Sequence, residues 1–427
     1  MQKKISLSVF IFVLIAAILV SFMSAFAVVS EIYRDRLANP YGVGDDAIDV
    51  RGLYLVDSLF KELSILDLDN DALINAVING YVAATGDRYA TYLNAEEYAA
   101  MLAEDSGTPQ GIGIRIYPGN NGEYIDVVYV TPDSPADKAG LLVGDRIYYV
   151  VTETGRASVN ELGYNNAVQS LQGNAGTYAE FTVLRDGAEV DFKILREAYN
   201  SRSVIYHLSE SDPTVGIIKI IEFNLTTPTQ FCEAMDDLIS KGIGKFIFDV
   251  RDNPGGDLAS IKAVLARFLE KGDTILTSQP KSGNGDVVKI EVRTYNDGYY
   301  DGCSITEEDI GRYRRLKYVV LVNENSASAA EVFAANFRDY ELAQLVGVTT
   351  FGKGVMQSLF PLAGYGFEGM LKLTTAEYLP PSGEGYHGVG IIPDAVVELS
   401  DSAKKTSLYV LREADDAQLV HAISLLK

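Results

Sequence analysis

The sequence predicts an α/β core preceded by a small β-rich domain, a short N-terminal helical segment and one membrane-spanning helix. Three observations carry this expectation. Residues 5–29, "ISLSVFIFVLIAAILVSFMSAFAVV", hold no charge. Residues 107–197 consist of short alternating runs around two helical pieces. Residues 213–400 alternate apolar strands with helical stretches, the pattern of an α/β domain whose sites gather at the carboxyl ends of strands. At 427 residues the chain is too long for one ordinary core, and 47% hydrophobic with 22% charged describes a folded protein.

Taken in order, residues 1–4 are a cytoplasmic stub, and the uncharged run 5–29 as a helix can cross a hydrocarbon core of ~30 Å. Lys3 and Lys4 stay in the cytoplasm by the positive-inside rule, so everything after residue 30 is expected outside, at the membrane. Ala25-Phe26-Ala27 also fits a small-residue cleavage site, which would release the chain as a secreted protein. The apolar run exceeds the roughly 7–15 residues of a signal peptide, which favours the anchor. Residues 30–50 mix charge, Pro and Gly and read as a linker. Residues 51–104 have helical periodicity, with Asp69 or Asn70 and Asn94 placed to cap. That segment reads as a packing or dimer-forming appendage, so a homodimer is among the expected partners.

Residues 105–197 form the β-rich domain, with "GIGIRIYP", "EYIDVVYV", "DRIYYVV", "AEFTVLRDG" and "AEVDFKIL" as strands and "SPADKAG" and "NELGYNNAVQSL" as helical pieces. Arg185-Asp186-Gly187 supplies a hairpin turn. In residues 198–427 the strands are "VGIIKIIEF", "KFIFDV", "YVVLVN", "AQLVGV" and "MLKLTTAEYL", with helices over "TPTQFCEAMDDLISKG", "DLASIKAVLARFLEKG" and "SAAEVFAANFRDY".

Charge and residue counts remove whole classes of function. A formal charge of -22, from 58 acidic against 36 basic residues, repels phosphate backbones, so nucleic acid is not an expected partner. His207, His387 and His421 are far apart, and no HExxH, CxxC or acidic loop is present, so neither a metal nor another cofactor is expected. Cys232 lies on the apolar side of a helix starting near Thr227 and reads as a buried thiol, with a disulfide to Cys303 as the alternative.

Three stretches carry chemistry. In "FDVRDNPGGDL", Phe248 to Leu258, a strand runs into glycines that allow close backbone approach, and a helix starting near Asp257 favours negative charge; a plain Pro-Gly turn is the other reading. In "LVNENSASAAEVF", Ser326 and Ser328 lie where a strand meets a helix. There Ser328 is either a nucleophile or, with Glu331, a capping box. In "VGVTTFGKGVMQS", Lys353 stands between two glycines among apolar residues, a setting that buries an amine and lowers its pKa. Moving a lysine from ~10.4 to near 7 takes roughly 4 kcal/mol of differential stabilisation, which a mostly enclosed site can supply.

Gly111-Ile112-Gly113, Ser134-Pro135-Ala136, Ala139-Gly140-Leu141, Gly144-Asp145 and "GTYAEFTVLRDG" together resemble a bacterial PDZ domain. The resemblance implies that a peptide's C-terminal carboxylate is captured by the loop Gly111, Ile112 and Gly113 while the peptide adds as a strand. "SASAAE", "TFGKGVMQ" and "DVRDNPGG", with "DRYATYLNAEEY" and "TTAEYLPPSGEGYHGVGIIPD", resemble the C-terminal processing (tail-specific) protease family of Ser/Lys peptidases, and the match covers nearly all of the chain beyond the linker. It implies Ser328 as nucleophile, Lys353 as general base and Gln357 as the residue orienting the lysine. The oxyanion hole is expected from the N–H of Ala329 and of Gly255 or Gly256. The implied fold is an α/β protease core with an inserted PDZ domain, and the implied partners are protein substrates with unstructured C-terminal tails.

The chain departs from the family at two positions. Ala330 replaces a usual serine, which preserves small volume, and Gln172 stands where "RG" often closes the PDZ helix, which alters how ligand would be sensed. A non-catalytic membrane-anchored PDZ scaffold is the alternative, but it needs neither Lys353 nor the "NPGG" turn. Ser278-Gln279-Pro280-Lys281 puts proline inside a Ser-x-x-Lys motif, and Ser402 to Lys405 lies in a polar tail, so neither is a helix-borne nucleophile. "GYHGVGIIPD" reads as a turn into a strand rather than as the base of a Ser-His pair.

Overall fold

The computed structural model describes residues 51–152, 154–281, 285–296, 301–363 and 367–427. The expected stub, membrane helix and linker of residues 1–50 lie outside the described residues. Among the described residues no helix is long and apolar enough to cross a membrane.

Residues up to Ile74 group as one unit and those from Asn75 as another. In the first, the helix Arg51–Leu63 has no buried residue. The following turn starts the helix Asn70–Ala84 through Asp69, whose carboxylate accepts from the N–H of Asp71 and Ala72 at 3.0 and 3.1 Å. In the second unit, Asn94 caps the helix Ala95–Asp105 in a full capping box with Glu97.

The β-rich domain is an antiparallel sheet in the order Ile114–Gly119, Tyr124–Val130, Arg146–Thr152, Tyr178–Arg185, Ala188–Leu195, with Gly155–Ser158 paired to Arg146–Thr152. It encloses its own core, including Ile125, Ile147, Val150, Leu141 and Phe181. Asp186 and Gly187, with φ of 51° and 82°, make the expected two-residue hairpin turn. "NELGYNNAVQSL" is two helices rather than one, Val159–Leu162 and Tyr164–Leu171, because Gly163 between them has a φ of 77°.

The large domain holds a six-stranded sheet ordered Val204–Leu208, Val215–Ile220, Lys245–Asp249, Lys317–Val322, Ala343–Gly347, Ala395–Val396, parallel from its second strand onward. Its strands read as continuous apolar runs because both faces are covered. Ile218, Phe246, Phe248, Val320 and Leu345 face the helices Thr227–Ser240, Leu258–Ala266 and Ala329–Asp339. The alternate residues Val215, Ile217, Ile247, Val319 and Leu321 face the C-terminal helix Ala417–Leu425. "MLKLTTAEYL" does not join this sheet. It is the strand Met370–Leu379 of a separate antiparallel sheet with Thr91–Leu93, Thr274–Pro280, Val288–Glu291 and Val355–Pro361. A ten-residue strand with its burial mostly partial is what a one-sided antiparallel sheet permits. Cys232 is half-buried and Cys303 buried, with no disulfide between them.

Candidate active site

The strand Lys317–Val322 ends at the sheet's carboxyl edge, and six residues later the chain reaches Ser328, immediately before the helix Ala329–Asp339. Ser328 has φ 56° and ψ −118°, a conformation that costs a non-glycine residue ~1–3 kcal/mol. A sharp strand-to-helix turn of this kind thrusts a hydroxyl outward and leaves the next N–H, that of Ala329, beside it. Ser326 has a different place. It is fully buried, its Oγ donates to the Val250 carbonyl at 2.7 Å and accepts from the Asn323 N–H at 3.0 Å, so it braces the turn.

Glu331 holds the strained serine. Its carboxylate is fully buried and accepts from the Ser328 N–H (2.9 Å), the Lys353 N–H (2.7 Å), the Gly352 N–H (2.7 Å) and the Thr350 hydroxyl (2.6 Å). Burial pushes this carboxyl upward and the four donors pull against it. The capping-box reading is therefore met in part, since Glu331 does bond the Ser328 N–H. The same oxygens also fasten the lysine loop to the serine turn, a role that local spacing does not reveal.

Lys353 lies in that loop, partly buried. Its Nζ sits 4.9 Å from the centroid of the Tyr89 ring, and its carbonyl accepts from the Tyr378 hydroxyl at 2.6 Å. Burial, and next the charge of Lys372, lowers the pKa of the amine, against Glu331 and Asp87 which raise it. The Tyr378 phenol also interacts with the Ser328 side chain, and burial pushes its pKa well above the usual phenol value. Gln357 does not bond the lysine here. Its amide donates to Thr374 Oγ1 at 3.2 Å, and Thr374 in turn donates to Asp87 through Oγ1 and N–H at 3.0 Å each. On the strand Val355–Pro361 a register shift falls between Met356 and Gln357, which re-aims that side chain. His387 Nδ1 accepts from the Gly354 N–H at 3.3 Å, so the histidine supports the loop.

The glycine turn closes the site from the other side. Gly255 has φ 105°, and a Cβ there would lie 2.7 Å from Ser328 Cβ and 2.9 Å from the Ala329 nitrogen, so only glycine lets the two segments meet. Its N–H is taken by Asn253 Oδ1 at 2.8 Å. Gly256 packs on the Phe223 backbone, and among the described residues neither its N–H nor that of Ala329 donates to a protein acceptor. The helix N-terminus after the glycines differs from expectation: Asp257 caps Leu258–Ala266 through the N–H of Ala259 and Ser260, so that helix end is already satisfied. Beneath the turn, Arg251 bonds Asp249 twice and also Asp416 and Gln418 of the C-terminal segment. Burial opposes ionisation of Asp249, but the Arg251 charge outweighs it and holds the carboxyl well below its usual range.

The loop Gly111 to Gly113 precedes the edge strand Ile114–Gly119 of the β-rich domain. Ile112 is buried, and the carbonyls of Ile112 and Gly113 accept from the N–H of Ala136 and Thr131 at 2.8 and 2.9 Å. Gly111 pairs with Glu197 in a separate two-stranded sheet, Gln110–Gly111 with Glu197–Ala198, and Ile112 packs into the core of the β-rich domain.

Comparison with known proteins decides the family. Residues 214–397 match the model of peptidase family S41. The carboxy-terminal-processing protease of Bartonella bacilliformis is 33% identical over 77% of this chain and 70% of that protein. The chain belongs to peptidase family S41. The carboxy-terminal processing protease CtpA of Bacillus subtilis is 31% identical over 94% of the chain and 79% of its own length. A solved structure assigned to the S41 proteases of Bacteroides fragilis has the same fold at 17% identity, with a TM-score of 0.55 over 90% of this chain and 98% of that one. The protein is thus a serine-type peptidase, a hydrolase of the C-terminal processing group, and not a non-catalytic scaffold.

Tyr89, Tyr378 and the wider role of Glu331 are not among the residues that local spacing singles out. Tyr89 and Tyr378 do lie in "DRYATYL" and "TTAEYL", segments that carry the family resemblance, which was the available signal.

Proposed function

We propose that this S41 peptidase is a membrane-anchored, extracytoplasmic endopeptidase that cleaves proteins near unstructured C-terminal tails, with Ser328 as nucleophile and Lys353 as general base. The observation that carries the reading is that Glu331 ties the strained Ser328 turn and the half-buried Lys353 loop to one carboxylate. Neutral Lys353 takes the Ser328 proton as Oγ attacks the peptide carbonyl, and the resulting ammonium protonates the leaving amine as the C–N bond breaks. The Ala329 and Gly256 N–H groups, both uncommitted, serve the oxyanion, and Gly255 provides the close approach. Gln357 acts on Lys353 through its carbonyl oxygen, which turns to accept from Nζ, while its NH2 is engaged by Thr374 Oγ1.

The β-rich domain, as a PDZ-type module, receives the tail carboxylate at Gly111 to Gly113. It contacts the large domain through Tyr117, whose hydroxyl donates to the Lys404 carbonyl, and through Tyr129, whose ring lies 5.9 Å from that of Tyr409. Tail binding that loosens these contacts would make the module a gate as well as a tether. The named relatives are carboxy-terminal processing proteases, which supports the substrate class. The anchor rests on the uncharged run 5–29 behind Lys3 and Lys4.

The test compares Ser328→Ala, Lys353→Ala and Ser326→Ala on a protein with a disordered tail. Ser328→Ala and Lys353→Ala should lose cleavage by about 10³-fold or more, while Ser326→Ala should lose stability and keep turnover per folded molecule. Retained cleavage in Ser328→Ala returns that serine to a capping role. Amidating the substrate's terminal carboxyl should lower kcat/KM, and no effect overturns the carboxylate site.

A further inference from the structure

The segment Arg88–Tyr89 meets the lysine loop in a way the catalytic reading does not use. Lys353 Nζ and the Arg88 guanidinium each lie 4.9 Å from the Tyr89 ring centroid, and Arg88 also lies 5.1 Å from that of Phe351, two residues before the lysine. The ring is not a loose surface group. The Tyr89 N–H donates to Asp87 Oδ1 at 3.0 Å, Asp87 is bound by Thr374 of the neighbouring strand, and the Phe351 N–H donates to the Ser326 carbonyl at 3.0 Å. The ring of His387 stands 6.4 Å away, tilted.

We propose that Tyr89 is a positioning residue for Lys353: its ring receives the amine in the protonated state beside the serine turn and so sets the pH at which the lysine becomes a base. An aromatic face attracts an ammonium far more than a neutral amine. Here the Tyr89 ring is a neighbour of the amine, while the Lys353 carbonyl is held by the Tyr378 phenol, so the ring acts on an amine whose backbone is fixed. In the reaction, the proton leaving Ser328 Oγ goes to Lys353 Nζ as the acyl bond forms. The ring holds the ammonium, and the proton passes to the leaving nitrogen when the C–N bond breaks. The groups acting on the amine are Lys372 on the antiparallel strand, Glu331 on the helix and Asp87 before the ring, while Arg88 shares the ring itself. The two carboxylates and the ring favour the charge, whereas Lys372 and burial oppose it. The ring is the one of these that can be deleted without changing net charge.

This inference rests on the assignment of Lys353 as base, and its test separates the two. In a Ser328→Ala background, the pH midpoint for acetylation of Lys353 by acetic anhydride, read by mass spectrometry, reports the amine without any turnover. Tyr89→Leu should lower that midpoint by about 0.5–1.5 pH units, whereas Tyr89→Phe, which keeps the ring, should leave it in place. With Ser328 present, the acid limb of kcat/KM should move by the same amount in Tyr89→Leu and stay put in Tyr89→Phe. A midpoint unmoved in Tyr89→Leu, or moved equally in Tyr89→Phe, overturns the ring contact. A moved midpoint with an unmoved acid limb overturns the catalytic half of the proposal. Cleavage surviving in Lys353→Ala overturns the base assignment itself.

Discussion

Glu331→Gln is the sharpest perturbation of the site, because it keeps volume and removes one charge. The carboxylate accepts four hydrogen bonds, two at each oxygen, and a glutamine keeps only one oxygen. If its NH2 turns toward Ser328 and Lys353, two buried N–H groups are left unmet. If it turns toward Thr350 and Gly352, the Thr350 hydroxyl must rotate to accept. That hydroxyl already accepts the Ile391 N–H at 2.7 Å, and the Gly352 N–H is stranded in any case. One buried, unsatisfied N–H costs ~1–3 kcal/mol, and the remaining bonds lose their charge assistance, worth about 1 kcal/mol more. The expected destabilisation is therefore about 2–4 kcal/mol, measured as the shift in urea midpoint at unchanged slope. Turnover per folded molecule should fall about 10–100-fold, since the lysine loop loses its tie to the serine turn. A variant within about 0.5 kcal/mol of the parent, with unchanged kcat, would refute the claim that this carboxylate joins the two loops.

Three further outcomes are expected. Because burial and Lys372 lower the Lys353 pKa, kcat/KM should rise with pH and reach its plateau below the ordinary lysine value of ~10.4, and Lys353→Arg, charged at all accessible pH, should be inactive; a midpoint at or above that value would contradict the burial argument. Gly255→Ala puts a Cβ 2.7 Å from Ser328 Cβ at a φ of 105°, so single-turnover assays should show at least about a 100-fold loss, and a stable, active variant would remove the close approach from the account. Asp105 has its pKa raised to about 6 by burial and next by the Asp257 charge. The native state therefore binds the extra proton between about pH 4 and 6, and stability present at low pH is lost as pH rises through about 6. After discounting for solvent contact, Asp105→Asn should gain about 1 kcal/mol at pH 8 and almost nothing at pH 4, checked by denaturant titration at both.

Much of the fold was legible because burial writes itself into periodicity. The doubly covered sheet appears as unbroken apolar runs such as "KFIFD" and "KYVVLV", and the β-rich domain as alternation punctuated by Asp186-Gly187. "MLKLTTAEYL" is legible as a strand but not as a member of a second sheet, because a strand's pattern reports how many of its faces are covered, not which partner covers them. Gln357 illustrates the same limit, since its spacing from Lys353 allowed a bond that the register shift beside it redirects to Thr374.

By itself the sequence determined which residues could react: a serine at a strand-to-helix junction, a lysine among apolar neighbours, and glycines where backbone must approach backbone. Those are properties of side-chain chemistry and local conformation, and they persist wherever the segments end up. Only the tertiary structure decided that Ser326 is fully buried and Ser328 only partly so, that Gly255 touches Ser328, and that one buried carboxylate serves both loops. Contacts between residues 328, 353, 255 and 89 join segments far apart in the chain. Their distances follow from how the sheets pack, which no local pattern encodes.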